Sequence, residues 1–177
     1  MTTATDPRYP IGKFVKPETF TPDDVAGYIR DLTAAPGKLR AAAAGLTDEQ
    51  LETPYRDGGW TVKQVVHHLP DSHVNAYVRH KLAATEDEPL VKTYEEPLWA
   101  ELPDARHAPI GVSLDLLTAL HARWTAFLSG MPFETFERHF RHPDLGRIRL
   151  GQNLALYAWH GRHHVAHVTA LREKMGW

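Results

Sequence analysis

The sequence predicts an all-α fold: a four-helix bundle with long connecting loops and one short β-hairpin. Three observations carry that expectation. Apolar residues recur at three- and four-residue spacing over four long stretches, the period of an amphipathic helix. Strand-like alternation is nearly absent. Hydroxyl residues followed by proline or acids mark where stretches begin. With 177 residues, the chain is read as one domain, 1–177, large enough for a substantial core.

Residues 1–20 are polar and hold three prolines, so an extended arm lying on the surface is expected. Thr21-Pro22-Asp23-Asp24 reads as a helix start, with a capping hydroxyl, proline at the first helical position and acids in the first turn. That helix continues through Val25, Ile29, Leu32 and Leu39, should bend or break at Pro36-Gly37, and ends at Gly45. Thr47 to Leu51 is a short capped turn. Residues 55–60 form a loop in which two glycines permit positive φ and Trp60 packs at the next helix entrance.

Thr61 caps a second long helix, Val62 to about Ala84. Its stripe is Val62, Val65, Val66, Leu69, Ala76 and Tyr77. Pro70 removes a hydrogen bond in its middle. A thinner stripe of His67, Asp71, Val74 and Val78 offers either a subunit contact or extra packing within the monomer. Residues 85–112 are proline-rich and without period, a lid or a strap anchored by Tyr94 and Trp99. Ser113 is expected to cap the third helix, whose stripe runs from Leu114 to Leu128 and includes His121, read as a hydrogen-bonded core histidine. Gly130 and Pro132 end it. A short helix over 133–140 and a turn over 142–146, between two short strands, lead to the last helix, from about Gly151 to Lys174.

Composition narrows the function classes. Net charge is −2 with neutral histidines, and no dense basic run points to nucleic acid. There is no cysteine, hence no disulfide, thiolate ligand or cysteine nucleophile; any thiol chemistry needs a thiol from outside. The start has no apolar signal core, and no run approaches the ~20 apolar residues of a membrane span. A soluble cytoplasmic protein is expected.

The chemistry concentrates in Tyr157 to Val168, YAWHGRHHVAHV. His160 and His164, like His163 and His167, are four apart, which on a helix places them on one face about 6 Å apart along the axis. This is how one helix offers two imidazoles to one metal ion. Against the stripe through Leu154, Tyr157, Ala158, Gly161, Val165 and Val168, His164 lies roughly 50° from centre and His160 roughly 90°. His167 lies further round and His163 points almost away. His160 and His164 therefore edge the buried face. On the second helix, His68 lies about 110° from the stripe centre, with His67 close to opposite. Geometry prefers His68 as the third, inward ligand; His67 is read as a surface histidine and remains the competitor. A bundle whose second and last helices are neighbours would bring the three together.

Taken together, RDGGWTVKQVVHHLPDSHVNAYVRHKLA, WHGRHHVAH and the terminal MGW closely resemble the YfiT branch of the DinB-like superfamily. The likeness also covers YPIG, WAEL and HARW. It implies a four-helix bundle with one divalent metal per chain, in a family many of whose members are dimers, so a homodimer is one expectation. Zinc is the default ion and nickel or manganese the alternatives, because imidazole suits several ions. The likeness places the ligands on His68, seven residues after the capping threonine, and on His160 and His164. Pro70 departs from the pattern, standing where relatives carry a small helix former. The resemblance further implies a transferase that activates a low-molecular-weight thiol of the bacillithiol type for attack on a small electrophile. A metal-dependent hydrolase is the near alternative. A non-catalytic helical protein with a structural metal is the alternative from another class. Asp71, Asn75 and His163 lie within a turn or two of the ligands, and none announces itself as a general base; no catalytic side chain is assigned.

Overall fold

Four helices make the frame of the computed structural model, which describes residues 6–177. They are α1 (Pro22–Ala43), α3 (Val62–Thr85), α6 (Ile110–Ser129) and α7 (Leu150–Met175). Between them lie the short helices α2 (Asp48–Leu51), α4 (Glu96–Trp99) and α5 (Pro103–His107). Residues 1–5 of the expected arm lie outside the described residues. No helix among the described residues is long and apolar enough to cross a membrane.

The threonine starts form as their chemistry requires. Thr21, Thr47 and Thr61 each accept the N–H of the residue three ahead, and Asp24, Gln50 and Gln64 return a side-chain oxygen to the threonine N–H. These reciprocal bonds satisfy donors that a helix N-terminus would otherwise leave bare. α6 departs from expectation. It begins at Ile110 with Pro109 as its cap, and Ser113 lies inside it, its hydroxyl 2.7 Å from His67 Nδ1.

α1 also departs from expectation, for it runs unbroken through Pro36. A helical proline leaves the carbonyl four residues back without its N–H partner. Here that carbonyl belongs to Leu32, and His121 Nδ1 donates to it at 2.6 Å. The replacement bond comes from another helix, so the sequence around Pro36 could not announce it. α3 likewise continues through Pro70.

α1 lies between α6 and α7, and α3 faces the same two helices from the opposite corner. Consecutive long helices α1 and α3 are therefore diagonal, while α3 and α7, distant in sequence, are neighbours. The connection after α6 passes through a 3-10 turn, Phe133–Glu137, which stops short of the helix expected to 140. It then forms the hairpin β1 (His139–His142) and β2 (Gly146–Arg149), with Phe140 opposite Ile148. The 85–112 segment straps the bundle, bonding to β1 through Val91 and Arg141 and packing Tyr94 on Trp99 with ring centroids 4.4 Å apart.

The core is split. Within the four helices one apolar cluster holds Leu39, Leu69, Leu117 and Val168 and another holds Leu32, Ala76, Trp124 and Leu154; a third, small one holds Ala83, Val91, Phe140, Ile148 and Leu150 under the hairpin. On each long helix the chain passes from one cluster to the other across a single level. Pro36, His73, His121 and the His160–His164 turn occupy that level. A layer of imidazoles thus separates the two clusters.

The N-terminal arm runs antiparallel along α7. Phe14 packs on Trp159 with centroids 5.8 Å apart, and the Pro17 carbonyl accepts from Gln152 Nε2 at 3.0 Å. Phe20 lies over Gly151, where an added Cβ would meet the ring at 2.3–2.6 Å. Only glycine lets the arm close down on the helix there.

Candidate metal centre

His68 comes from the second turn of α3, and His160 and His164 from successive turns of α7. Their ring nitrogens lie within 4.8 Å of one another. His160 Nε2 stands 3.1 Å from His164 Nε2 and 3.4 Å from His68 Nε2. Nitrogens held at ~2.0–2.1 Å by one ion stand roughly 3–3.4 Å apart in tetrahedral or octahedral geometry. The donor set therefore fits a divalent ion. His68 and His164 are buried and His160 half-buried.

Burial decides the charge state. Desolvation lowers His68 to about 4. It holds His160 and His164 well below the ordinary value, with the surrounding imidazoles adding to the shift. Three neutral imidazoles offer lone pairs and no proton competition at neutral pH, the form a metal requires.

The remaining histidines of the two helices are not bystanders. His67 is buried, contrary to the surface role expected for it. Its Nε2 donates to the Ala108 carbonyl at 3.1 Å and its Nδ1 faces Ser113 at 2.7 Å. Both nitrogens are committed to the start of α6, away from the other three rings. What looked like the solvated side of α3 is covered by α5 and α6. The rest of the thinner stripe stays open, with Val74 and Val78 exposed.

His163 is buried as well, because the arm covers it: its ring stacks on Trp159 at 4.3 Å and lies 6.2 Å from Tyr9. His73, which sequence reasoning passed over, is fully buried, with Nδ1 2.8 Å from His121 Nε2 and Nε2 3.1 Å from His160 Nδ1. The signal was present: His73 fills the gap between Leu69 and Ala76 in the buried stripe of α3. His167 Nδ1 lies 3.3 Å from His164 Nδ1, and its Nε2 donates to the Arg8 carbonyl at 3.3 Å.

Two aromatic rings of the 55–60 loop flank the cluster. Trp60 sits 4.6 Å from the His68 ring, and Tyr55 stacks on His167 at 4.1 Å. Asp71, one turn past His68 and half-buried, is raised to about 6, first by desolvation and then by Asp104.

A helical bundle in which two facing helices converge three histidines defines a class of metal-binding proteins. The chain belongs to the DinB superfamily, whose profile matches residues 31–168. Its relatives include a Bacillus cereus (strain AH820) protein named "putative metal-dependent hydrolase". The two are 48% identical over 172 residues, spanning 97% of this chain and 99% of the relative. A protein of the same name from Bacillus thuringiensis subsp. konkukian (strain 97-27) matches at the same identity and coverage. YfiT from Bacillus subtilis, described as "a probable metal-dependent hydrolase with an unusual four-helix bundle topology", superposes with a TM-score of 0.94 at 48% identity, over 97% of this chain and 98% of that one. The diagonal placement of α1 and α3 is shared with that fold.

Proposed function

We propose that His68, His160 and His164 hold one divalent ion, and that the protein is a metal-dependent transferase which activates a low-molecular-weight thiol for attack on a small electrophile. Zinc is the expected ion, and nickel or manganese suit the same imidazoles. The observation that carries the reading is the convergence of three imidazole Nε2 atoms with no fourth protein ligand in the cluster among the described residues. A structural zinc site is closed by four protein ligands, whereas three leave room for an exogenous one. A bound divalent ion supplies Lewis acidity, holding a coordinated thiol as thiolate or lowering the pKa of water.

This chain's own residues set the terms. No carboxylate belongs to the cluster, so the ion keeps its full positive charge, which favours an anionic sulfur. Trp60 shields one side of the His68 ring from water. The chain supplies no cysteine, so the nucleophilic sulfur arrives with a small molecule; the resemblance to the YfiT branch makes the bacillithiol type the expected one. In the transfer, the thiol S–H proton leaves to solvent, a C–S bond forms, and the electrophile's leaving group departs with its electron pair. A cytoplasmic location, where free thiols stay reduced, accords with this.

Hydrolysis is the second reading, and the names of the relatives favour it. One experiment separates the readings. Purified protein should carry about one metal per chain, lost in His68→Ala and His160→Ala and kept in His67→Ala. Incubated with a panel of thiols and monochlorobimane, it should form conjugates that vanish on chelation. Ester or amide cleavage without conjugate formation reverses the ranking, and metal-free protein of unchanged stability removes both.

A further inference from the structure

The imidazoles behind the site are ordered by logic as well as by distance. A carbonyl oxygen only accepts, so His121 Nδ1, 2.6 Å from the Leu32 carbonyl, carries that ring's proton. A neutral imidazole has one such proton, which leaves His121 Nε2 as an acceptor. His73 Nδ1, 2.8 Å away, must then be the donor, and His73 Nε2 is left bare. His160 Nδ1, 3.1 Å from that atom, donates in turn. The single proton of His160 is thereby placed on Nδ1, and its Nε2 faces His68 and His164 as a lone pair.

The same reasoning runs through the other ligand of α7. The Arg8 carbonyl accepts from His167 Nε2 at 3.3 Å, so His167 Nδ1 is an acceptor. His164 Nδ1, 3.3 Å from it, donates, and His164 Nε2 is bare towards the cluster. All three backing rings, His73, His121 and His167, are buried, and a buried ring that donates through one nitrogen and accepts through the other carries a single proton.

We infer that His73, backed by His121 and the Leu32 carbonyl freed by Pro36, is a positioning residue that fixes His160 as its Nδ1–H tautomer, and that His167, backed by the Arg8 carbonyl of the N-terminal arm, does the same for His164. A free imidazole in water favours the Nε2–H form, which would put a proton where an ion needs a lone pair. The two chains remove that choice before any ion arrives and hold each ring in rotation. The sequence YAWHGRHHVAHV is thus more than a pair of ligands with spare histidines: His167 belongs to the support of His164, and the arm is part of the site. This inference rests on the three-histidine site proposed above.

Long-range 1H–15N NMR on the metal-free full-length chain, labelled in its imidazoles, reads which nitrogen of each ring is protonated. The expected pattern is Nδ1–H for His121, His73, His160 and His164, and Nε2–H for His167. His160 found as Nε2–H overturns the inference, whether or not any variant folds. The second arm measures zinc affinity by chelator competition. His73→Phe, which keeps a ring but removes both nitrogens, should bind about 10–100-fold more weakly and show His160 as a tautomer mixture. His73→Gln, which returns an acceptor towards His160, should recover most of the loss. A folded His73→Phe protein with wild-type affinity and an unmixed His160 tautomer also overturns it. Wild-type protein that keeps these tautomers yet binds no ion overturns the three-histidine site and leaves the hydrogen-bond chains standing.

Discussion

His160 and His164 are one helical turn apart and stand on different foundations. Behind His160 the contacts are 3.1, 2.8 and 2.6 Å, each shorter than the last, and they end on a carbonyl in the middle of α1. Behind His164 they are 3.3 and 3.3 Å and end on a surface arm. A cavity of about 440 Å³ opens beside His167, walled by Pro7 and Pro10 of the arm, Tyr55 and Arg56 of the loop, and Leu171. The rings behind the first ligand are therefore built into the core, where density leaves no freedom. The second ligand answers to a segment that lies outside the four-helix frame. Equal spacing along a helix does not make two ligands equivalent; what lies behind each ring does.

The widest way to break both supports at once is acid. His68, His80, His163 and His167 are each lowered by desolvation to about 4, whereas in the unfolded chain they titrate near 6.5. Between those values the unfolded chain binds more protons than the folded one. The stability these groups contribute is present above pH 6.5 and is lost as pH falls through about 4. Asp71, raised to about 6, works the other way, since its burial is easier once it is protonated, but it is one group against four. Thermal melts in chelator should show a steep fall in Tm between pH 6.5 and 4, and a flat profile would contradict the burial of these rings.

Next in size is a comparison of the two backing rings. His121→Ala leaves a cavity and strands the Leu32 carbonyl, and should cost about 3 kcal/mol of unfolding free energy. His167→Ala removes a ring that borders a cavity and holds one longer bond, and should cost about 1 kcal/mol. Urea titrations give both values. Equal losses would erase the distinction between a core foundation and a surface one. Truncation before Pro10, which deletes Arg8 and Tyr9, sharpens the same point. Zinc affinity should weaken about threefold, below the range seen when an outer partner is lost outright, while the urea midpoint barely moves. A large loss of stability would mean the arm is a structural element of the bundle.

What could be read from the sequence follows the same divide between local and distant causes. Thr21, Thr47 and Thr61 announced their helices because capping is settled within four residues. The hairpin turn at 142–146 was legible for the same reason. His160 and His164 were legible as a pair because helical spacing alone aligns them. The continuity of α1 was not, since the donor that repairs the break at Pro36 lies 89 positions from the Leu32 carbonyl it serves. Nor was the burial of His67, which depends on Ser113 and Ala108. His163 was expected to point outwards, and by the helix it does; the arm then covers it. His73 was missed although it stands in the stripe of α3 as His121 stands in that of α6; both are buried and continue the stripe with polar means.

The smallest expected effect is the most discriminating, and it concerns Pro36. In Pro36→Ala the new N–H would donate to the Leu32 carbonyl, as in any helix. The carbonyl has two lone pairs, so His121 need not leave, but it would share an acceptor it now has alone. The helix gains about 1 kcal/mol from the added bond and loses the packing of a buried ring, so net stability should change by less than about 1 kcal/mol. The His121 Nδ1–H proton should move upfield as its bond weakens, and zinc affinity should fall no more than about twofold. If the proton resonance and the affinity both stay fixed, the proline serves packing alone and the chain behind His160 begins at His121. If the proton shifts while the arm-side His167 resonance does not, the two foundations are separate, and the influence of Pro36 reaches the site through His160 only.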